Sequence, residues 1–565
     1  MQTTPLSEID KEFYRYCCLD SAVTYEINDF LTPRIKGTAR TQYEFNVNML
    51  LPLRYMELRG IRYDIEGARN RRNILRVKMF ETQARFNALT GFGFTWTSKV
   101  EIQQRAEEIC LTKDKTRCRK SHIETYERYR DLISLKTPSL ATIGELEDLC
   151  EVSLNEGSSD QITNYLYNEL KLPVQLSEKD KETGKQSPTA NYEACLNLSK
   201  WCQKNDLKVE YEIIQLIITL RALDTRQRML AISADRDKRI RCGYNIVGSE
   251  TGRITCYTSP TGSGYNLQTI PKYTNPDEAP GGVIGDRDLF LADADHYIFE
   301  CDLEGADSWT VAAYCAMLGD STMLQDLQVG IRPAKRITLK LRGVQIDYHN
   351  IEAVLEASKA VSKSSWDYFA CKRVVHGASY LEGARTIGRN ILKDSEGKMF
   401  MDDRECNMLK DLLLIECYPG IKRYHQYIGR RLSERPFLTA ASGQIRQFFG
   451  RPDEILTKAV AFEPQANTTY ATNKAMWRLW TDRENRIITT NGTNAQQTTR
   501  LRVECLHQVH DALVGQFHRS DTNWAIGKIK SWFTNEIKIA GITMVIPFEG
   551  GYGSSWGNLK VGEIK

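Results

Sequence analysis

Trp366–Arg389, WDYFACKRVVHGASYLEGARTIGR, reads as one helix. Lys372, His376 and Tyr380 follow one another at four-residue intervals, which puts them on nearly the same face. Ala370, Val374, Ala378 and Leu381 fall on the other side and can pack against a core. A stripe of ammonium, imidazole and phenol suits a ligand that is both charged and flat. A nucleoside triphosphate is such a ligand, with phosphate charge for the ammonium and sugar and base for the rings. A solvated polar face accounts for the same spacing.

Two further stretches separate these alternatives. Ile298–Asp307, IFECDLEGAD, runs an apolar strand into Asp302. Val503–Phe517, VECLHQVHDALVGQF, reads as a hairpin with His510 and Asp511 near its tip. Carboxylates presented from two strand ends can share a pair of divalent cations, as two-metal phosphoryl transfer requires. Together the three stretches resemble motifs A, B and C of the family A DNA polymerases, the DNA polymerase I type. The resemblance implies an α+β right-hand fold, with a mixed or antiparallel palm sheet and mostly helical thumb and fingers. It implies addition of dNTPs to a primer 3′-hydroxyl on a DNA template, with two Mg2+ ions on Asp302 and Asp511 and the Leu303 carbonyl assisting.

The rest of the chain extends that likeness. Residues 1–35 contain YCCLDSAVTYEI, an amphipathic helix with Tyr16 four residues before Asp20. It resembles the closing motif of the 3′–5′ exonuclease domain, in which Asp holds a metal and Tyr orients water. The missing earlier carboxylates imply either a remnant or one half of a split domain, a separate exonuclease polypeptide docking there. Proofreading is then not self-sufficient. Residues 36–240 are expected to form the thumb and palm-entry helices, broken at Gly60 by a short extended link, Ile61–Asp64. Within them, 112–156 has no family counterpart, and its Lys/Arg density suits either phosphate contact or a solvated face.

The first palm segment is expected over 241–320. SETGRITCYTSPTGSGYNLQTIP (Ser249–Pro271) is similar to the family's TGR…NLQ signature, with Ser259–Gly264 as an insertion. The resemblance places Arg253 in the minor groove at the primer end and Asn266 and Gln268 on the DNA backbone. Minor-groove acceptors are common to all base pairs, so such contacts test pairing geometry and not sequence. Asp307 stands where the family usually has the Glu that excludes a ribose 2′-hydroxyl.

Fingers are expected over 321–440. There Lys372 matches the family's phosphate-binding Lys, Tyr380 matches its Tyr, and His349 is a candidate phosphate contact. His376 replaces a Phe or Tyr. Tyr368 replaces the Arg on the outer phosphates, with Lys363 or Arg373 as candidate substitutes. In the second palm segment, 441–565, Gln465 matches a template-contacting Gln and His510 a primer-end contact, while 481–500 reads as a polar loop.

Composition bounds the remainder. At 565 residues the chain exceeds one ordinary core. Hydrophobic residues at 41% and charged residues at 26% are those of a globular protein, and no run reaches membrane-spanning length. The 15 cysteines lack paired metal spacing, and with no export pattern they imply reduced thiols in a cytoplasm, a bacterial host's if the source is viral. A net charge of +4 is too small to mark a polyanion ligand by itself. Compact size and drifted motifs favour a viral or organellar replicative enzyme. A translesion or repair member of the family shares most of these features. A single-subunit RNA polymerase would lack TGR…NLQ, and a non-catalytic DNA-binding relative would not need both Asp302 and Asp511.

Overall fold

Phe299, Cys301 and Leu303 alternate with Glu300 and Asp302, which suits a strand with one face in a core and charge towards the end of the other. In the computed structural model this strand is the middle of a five-stranded sheet. The structure describes residues 8–91, 157–177, 183–259, 264–277, 279–491 and 496–565, with 107, 110–112, 117–119, 123–133 and 179 between them. We label the sheet strands β1 (His296–Leu303), β2 (Val503–Val509), β3 (Ala512–His518), β4 (Phe548–Gly553) and β5 (Gly562–Ile564). Their order is β2-β3-β1-β4-β5, and every neighbouring pair is antiparallel. Ile298, Phe299 and Cys301 are fully buried.

Register fixes the chemistry of the sheet. Asp302 lies opposite Ala512 on one side and Glu549 on the other, so the β2–β3 turn brings Asp511 beside Asp302. Gly515 permits the close packing behind this turn. A Cβ there would lie 2.3 Å from the Glu504 carbonyl oxygen and 2.6 Å from the Phe299 ring. After Asp302 the chain turns at Gly305, in the left-handed region (φ 61°), and enters the helix Ala306–Met317. That helix and the long helix Pro452–Thr481 pack together over the sheet.

The predicted break at Gly60 is present. The helix Gly37–Arg59 ends there, and Ile61–Tyr63 forms the centre of a small sheet between Arg239–Ile240 and Phe290–Leu291. The helices Ile65–Thr90, Tyr192–Lys204 and Lys208–Leu230 share a core of their own around Phe86, Leu198, Ile213 and Ile217. The helices Pro333–Leu341, Trp366–Ser379, Ala384–Asp394 and Asp403–Asp411 pack against one another in a further helical group.

Several expectations need correction. Trp366–Arg389 is two helices, not one. The first ends at Ser379, Leu381 adopts φ 63°, and Glu382 N–H and Leu381 N–H return to the carbonyls of Gly377 and Ala378 at 2.9 and 3.2 Å. This is a Schellman ending with Leu in the position glycine usually takes. Leu381 is accordingly at the surface and not in the core. The stretch 481–500, expected as a loop, contains a hairpin of Arg486–Asn491 and Gln496–Leu501. Its Ile/Thr-rich flanks carry strand propensity that its polarity masked. Gln465 lies on the helix Pro452–Thr481, which opens on a proline, a favourable first helical residue. Most of the 112–156 segment lies outside the described residues.

Candidate active site

Asp511 separates two hollows. One, about 680 Å3, is lined by Arg253, Leu303, Asp307, Arg332, Tyr368, Lys372, His376 and Tyr380 as well as Asp511. The other, about 530 Å3, is lined by Asp302, Asp511, Glu300, Glu549, Lys272, Arg287 and His510. The structure thus gathers Asp302, Asp511, Leu303, Lys372, His376, Tyr380, Asp307, Arg253 and His510 around a single turn. Asp511 reaches its position because His510 takes φ 51° at the hairpin tip. A non-glycine residue in that region costs energy that the flanking strands must impose.

The acidic groups are in electrostatic tension. Protein packed around Asp302, then Glu300 and Glu549, push its carboxyl up to about 6, even though the residue keeps an exposed surface. Burial, then Asp307, push Asp511 up to about 7, with Asp302 adding to the effect and Arg253 opposing it. Asp511 Oδ1 is buried and has no hydrogen-bond partner among the described residues. Two neighbouring carboxylates, one with an orphaned oxygen, form a donor set suited to hard divalent cations. The residues present therefore fit the divalent metal ions that the sequence resemblance implies.

The other hollow carries cations. Burial, then Arg373, Arg332 and Lys363, lower the Lys372 pKa, so this ammonium is in a site that favours an anion. The His376 ring meets Tyr380 edge-on, with centroids 5.1 Å apart. Tyr380 is buried beside Asp307, and both burial and that carboxylate hold its phenol well above the usual range. Asp307 accepts a hydrogen bond from Thr468 Oγ1 at 2.8 Å. The buried Arg253 Nε has no hydrogen-bond partner among the described residues.

Other predicted residues are placed differently. Gln268 Nε2 donates to the carbonyls of Ile254 (2.9 Å) and Gln508 (3.1 Å), and its Oε1 accepts from Cys256 N–H (3.2 Å). Its amide braces the protein instead of facing a DNA backbone. Asn266 Oδ1 accepts from Gln268 N–H at 3.1 Å. Gln465 is half-buried on the long helix and lines neither hollow. His349 is exposed in the loop before the helix Ile351–Lys359 and also lines neither hollow. Arg373 pairs with Asp394 at 3.1 Å, and Lys363 is exposed. Tyr16 and Asp20 are exposed on the helix Glu8–Leu31.

Four residues escaped the sequence. Glu300 precedes Asp302 by two along a strand, so its position on the same face was legible. Glu549 and Lys272 reach Asp302 only through tertiary packing. Arg332, beside Tyr368 and paired with Glu304, brings to the cavity the cation that Tyr368 lacks.

The chain matches the family model for DNA polymerase family A over residues 134–558. No curated protein sequence matches it. Among solved structures it is similar to the POL domain of Pol1 from M. smegmatis, described as a complex with DNA primer-template and dNTP. The TM-score is 0.57 at 17% identity, covering 91% of this chain and 70% of the other.

Proposed function

This chain belongs to DNA polymerase family A and is a template-directed DNA polymerase, and from that premise we propose how its residues divide the work. Asp302 and Asp511 hold two Mg2+ ions, and the primer end, the incoming dNTP and the primer–template meet at the β2–β3 turn. The observation that carries this is the unpartnered Asp511 oxygen at the boundary between an acidic hollow and a cationic one. When bound, the ions supply a lowered pKa for the primer hydroxyl and neutralisation of pyrophosphate charge. Lys372 and Arg332 bind the phosphates, Arg332 in place of the Arg absent at position 368. The His376 and Tyr380 rings flank the sugar and base, and Asp307 lies where a ribose 2′-hydroxyl would intrude. Arg253 and His510 contact the primer end, Asn266 and Gln465 approach DNA, and His349 joins the phosphates only if the fingers close. Primer extension tests the assignment. Asp302→Asn and Asp511→Asn are each expected to abolish extension while primer–template affinity stays within a few-fold. Full extension by either variant refutes it.

The same proposal extends to residues 1–35 as the docking site of a separate exonuclease-domain polypeptide. Its support is an exposed apolar surface on the helix Glu8–Leu31, including Phe13, Tyr16, Leu19, Val23, Ile27 and Phe30. Proofreading is expected only when that partner is added, and only with Asp20 intact. Exonuclease activity of the purified chain that survives Asp20→Ala rules this out.

A further inference from the structure

Behind the catalytic turn lies a group of buried side chains that the polymerase reaction does not use. Cys242 and Cys256 come from a hairpin, Cys242–Asn245 paired with Thr255–Thr258, and His507 comes from β2. In the hairpin register Cys242 faces Thr258 and Tyr244 faces Cys256, so the two cysteines are diagonal neighbours on one face. Their Sγ atoms are 3.8 Å apart. An irregularity in the β2–β3 pairing between Cys505 and His507 re-aims the chain just where His507 enters the group. One ligand atom from each of the three residues lies within 4.8 Å of the others. Exposure is 2% for Cys242, 8% for Cys256 and 0% for His507.

We propose that Cys242, Cys256 and His507 form a structural site for a thiophilic divalent cation, zinc by its chemistry, which fastens the hairpin to β2. Two thiolates on a tetrahedral zinc, each at about 2.3 Å, sit roughly 3.8 Å apart, which is the spacing found here. Soft sulfur with imidazole selects zinc over the magnesium that carboxylates favour. The imidazole is prepared for the role. Its Nδ1 is 2.7 Å from the buried Tyr244 hydroxyl, while its Nε2 is buried with no hydrogen-bond partner among the described residues. A ligating histidine commonly has this arrangement, one ring nitrogen fixed by an outer partner and the other left for the metal. On binding, both thiols release protons to solvent, sulfur–metal and nitrogen–metal bonds form, and nothing is oxidised or reduced.

The position gives the site a purpose. His507 is three residues before His510 on the strand that presents Asp511. Gln268 already links the same hairpin to the end of β2. A cation at this point would hold the Arg253 segment and the catalytic turn in one frame without touching substrate.

The test uses the reduced, full-length chain, purified without chelator, loaded with Zn2+ or Co2+ and then freed of unbound metal. Elemental analysis is expected to find about one zinc per chain, and the Co2+ form to show thiolate-to-cobalt charge transfer with tetrahedral d–d bands. The Cys242→Ser/Cys256→Ser variant is expected to fall to background in both measurements. Zinc should also raise the thermal midpoint of the wild type and leave that variant unmoved. If the double variant does not fold, the wild-type metal content and Co2+ spectrum decide alone. A reduced wild-type chain that retains neither metal, or a variant that retains as much as wild type, overturns the proposal.

Discussion

Asp326 is buried and Asp511 half-buried, and the protein treats these two acids in opposite ways. Asp326 is completely enclosed and fully partnered. Both its oxygens receive Arg336 at 2.6 Å, and the Tyr418 hydroxyl donates to Oδ2 at 2.6 Å. Asp511 has an orphaned oxygen, acidic neighbours and a pKa near 7. The difference teaches where function lies. A carboxylate used for structure is satisfied by the protein, whereas one used for chemistry is left for a ligand to satisfy.

Exchanging each acid for its amide is the sharpest way to break this contrast. Asp326→Asn is expected to cost roughly 3–5 kcal/mol of stability by leaving Arg336 buried without its countercharge. Asp511→Asn, which is expected to abolish extension, is also expected to leave the thermal midpoint unchanged or higher in chelator. Its pH profile should differ too. The folded-state pKa values of Asp302 and Asp511, about 6 and about 7, lie above the unfolded value of about 4. Their stabilising contribution is therefore full below about pH 4 and is lost as pH rises through about 6 to 7. The metal-free wild type should lose stability across that window, and the Asp302→Asn/Asp511→Asn double variant should lose less. Thermal unfolding in chelator from pH 5 to 8 checks both. Equal midpoints for Asp326→Asn and Asp511→Asn would dissolve the distinction.

The cationic hollow sharpens it from the opposite sign. Lys372→Ala is expected to reduce dNTP use by about 1.5–3 kcal/mol, the range of a charge-assisted hydrogen bond, with DNA affinity much less affected. Single-nucleotide incorporation kinetics alongside DNA titration separates the two. A smaller effect is expected at His376, whose ring can donate a hydrogen bond towards the triphosphate. The wild type should incorporate dideoxynucleotides appreciably and His376→Phe less so. Equal discrimination by the two, measured against dNTPs, would place His376 outside nucleotide selection.

The motifs were legible because their information is local. Asp302 at a strand end, the His510–Asp511 turn and the Lys372 face each follow from a few neighbouring residues and the period of one element. Tyr380 reaches the predicted cavity by a different route, since the helix has already ended in a Schellman turn at Leu381. Gln268 shows the limit of a motif match: its amide is consumed by Ile254, Cys256 and Gln508, the last 240 residues away in sequence. Cysteine spacing likewise gave no metal signature, yet folding places Cys242, Cys256 and His507 in one buried group. The sequence by itself determined which side chains could bind phosphate or a hard cation, because residue type and periodicity carry that. Only the tertiary structure decided which polar atoms were satisfied and which were left open, because hydrogen-bond partners and metal ligands are chosen by distance in space, not along the chain.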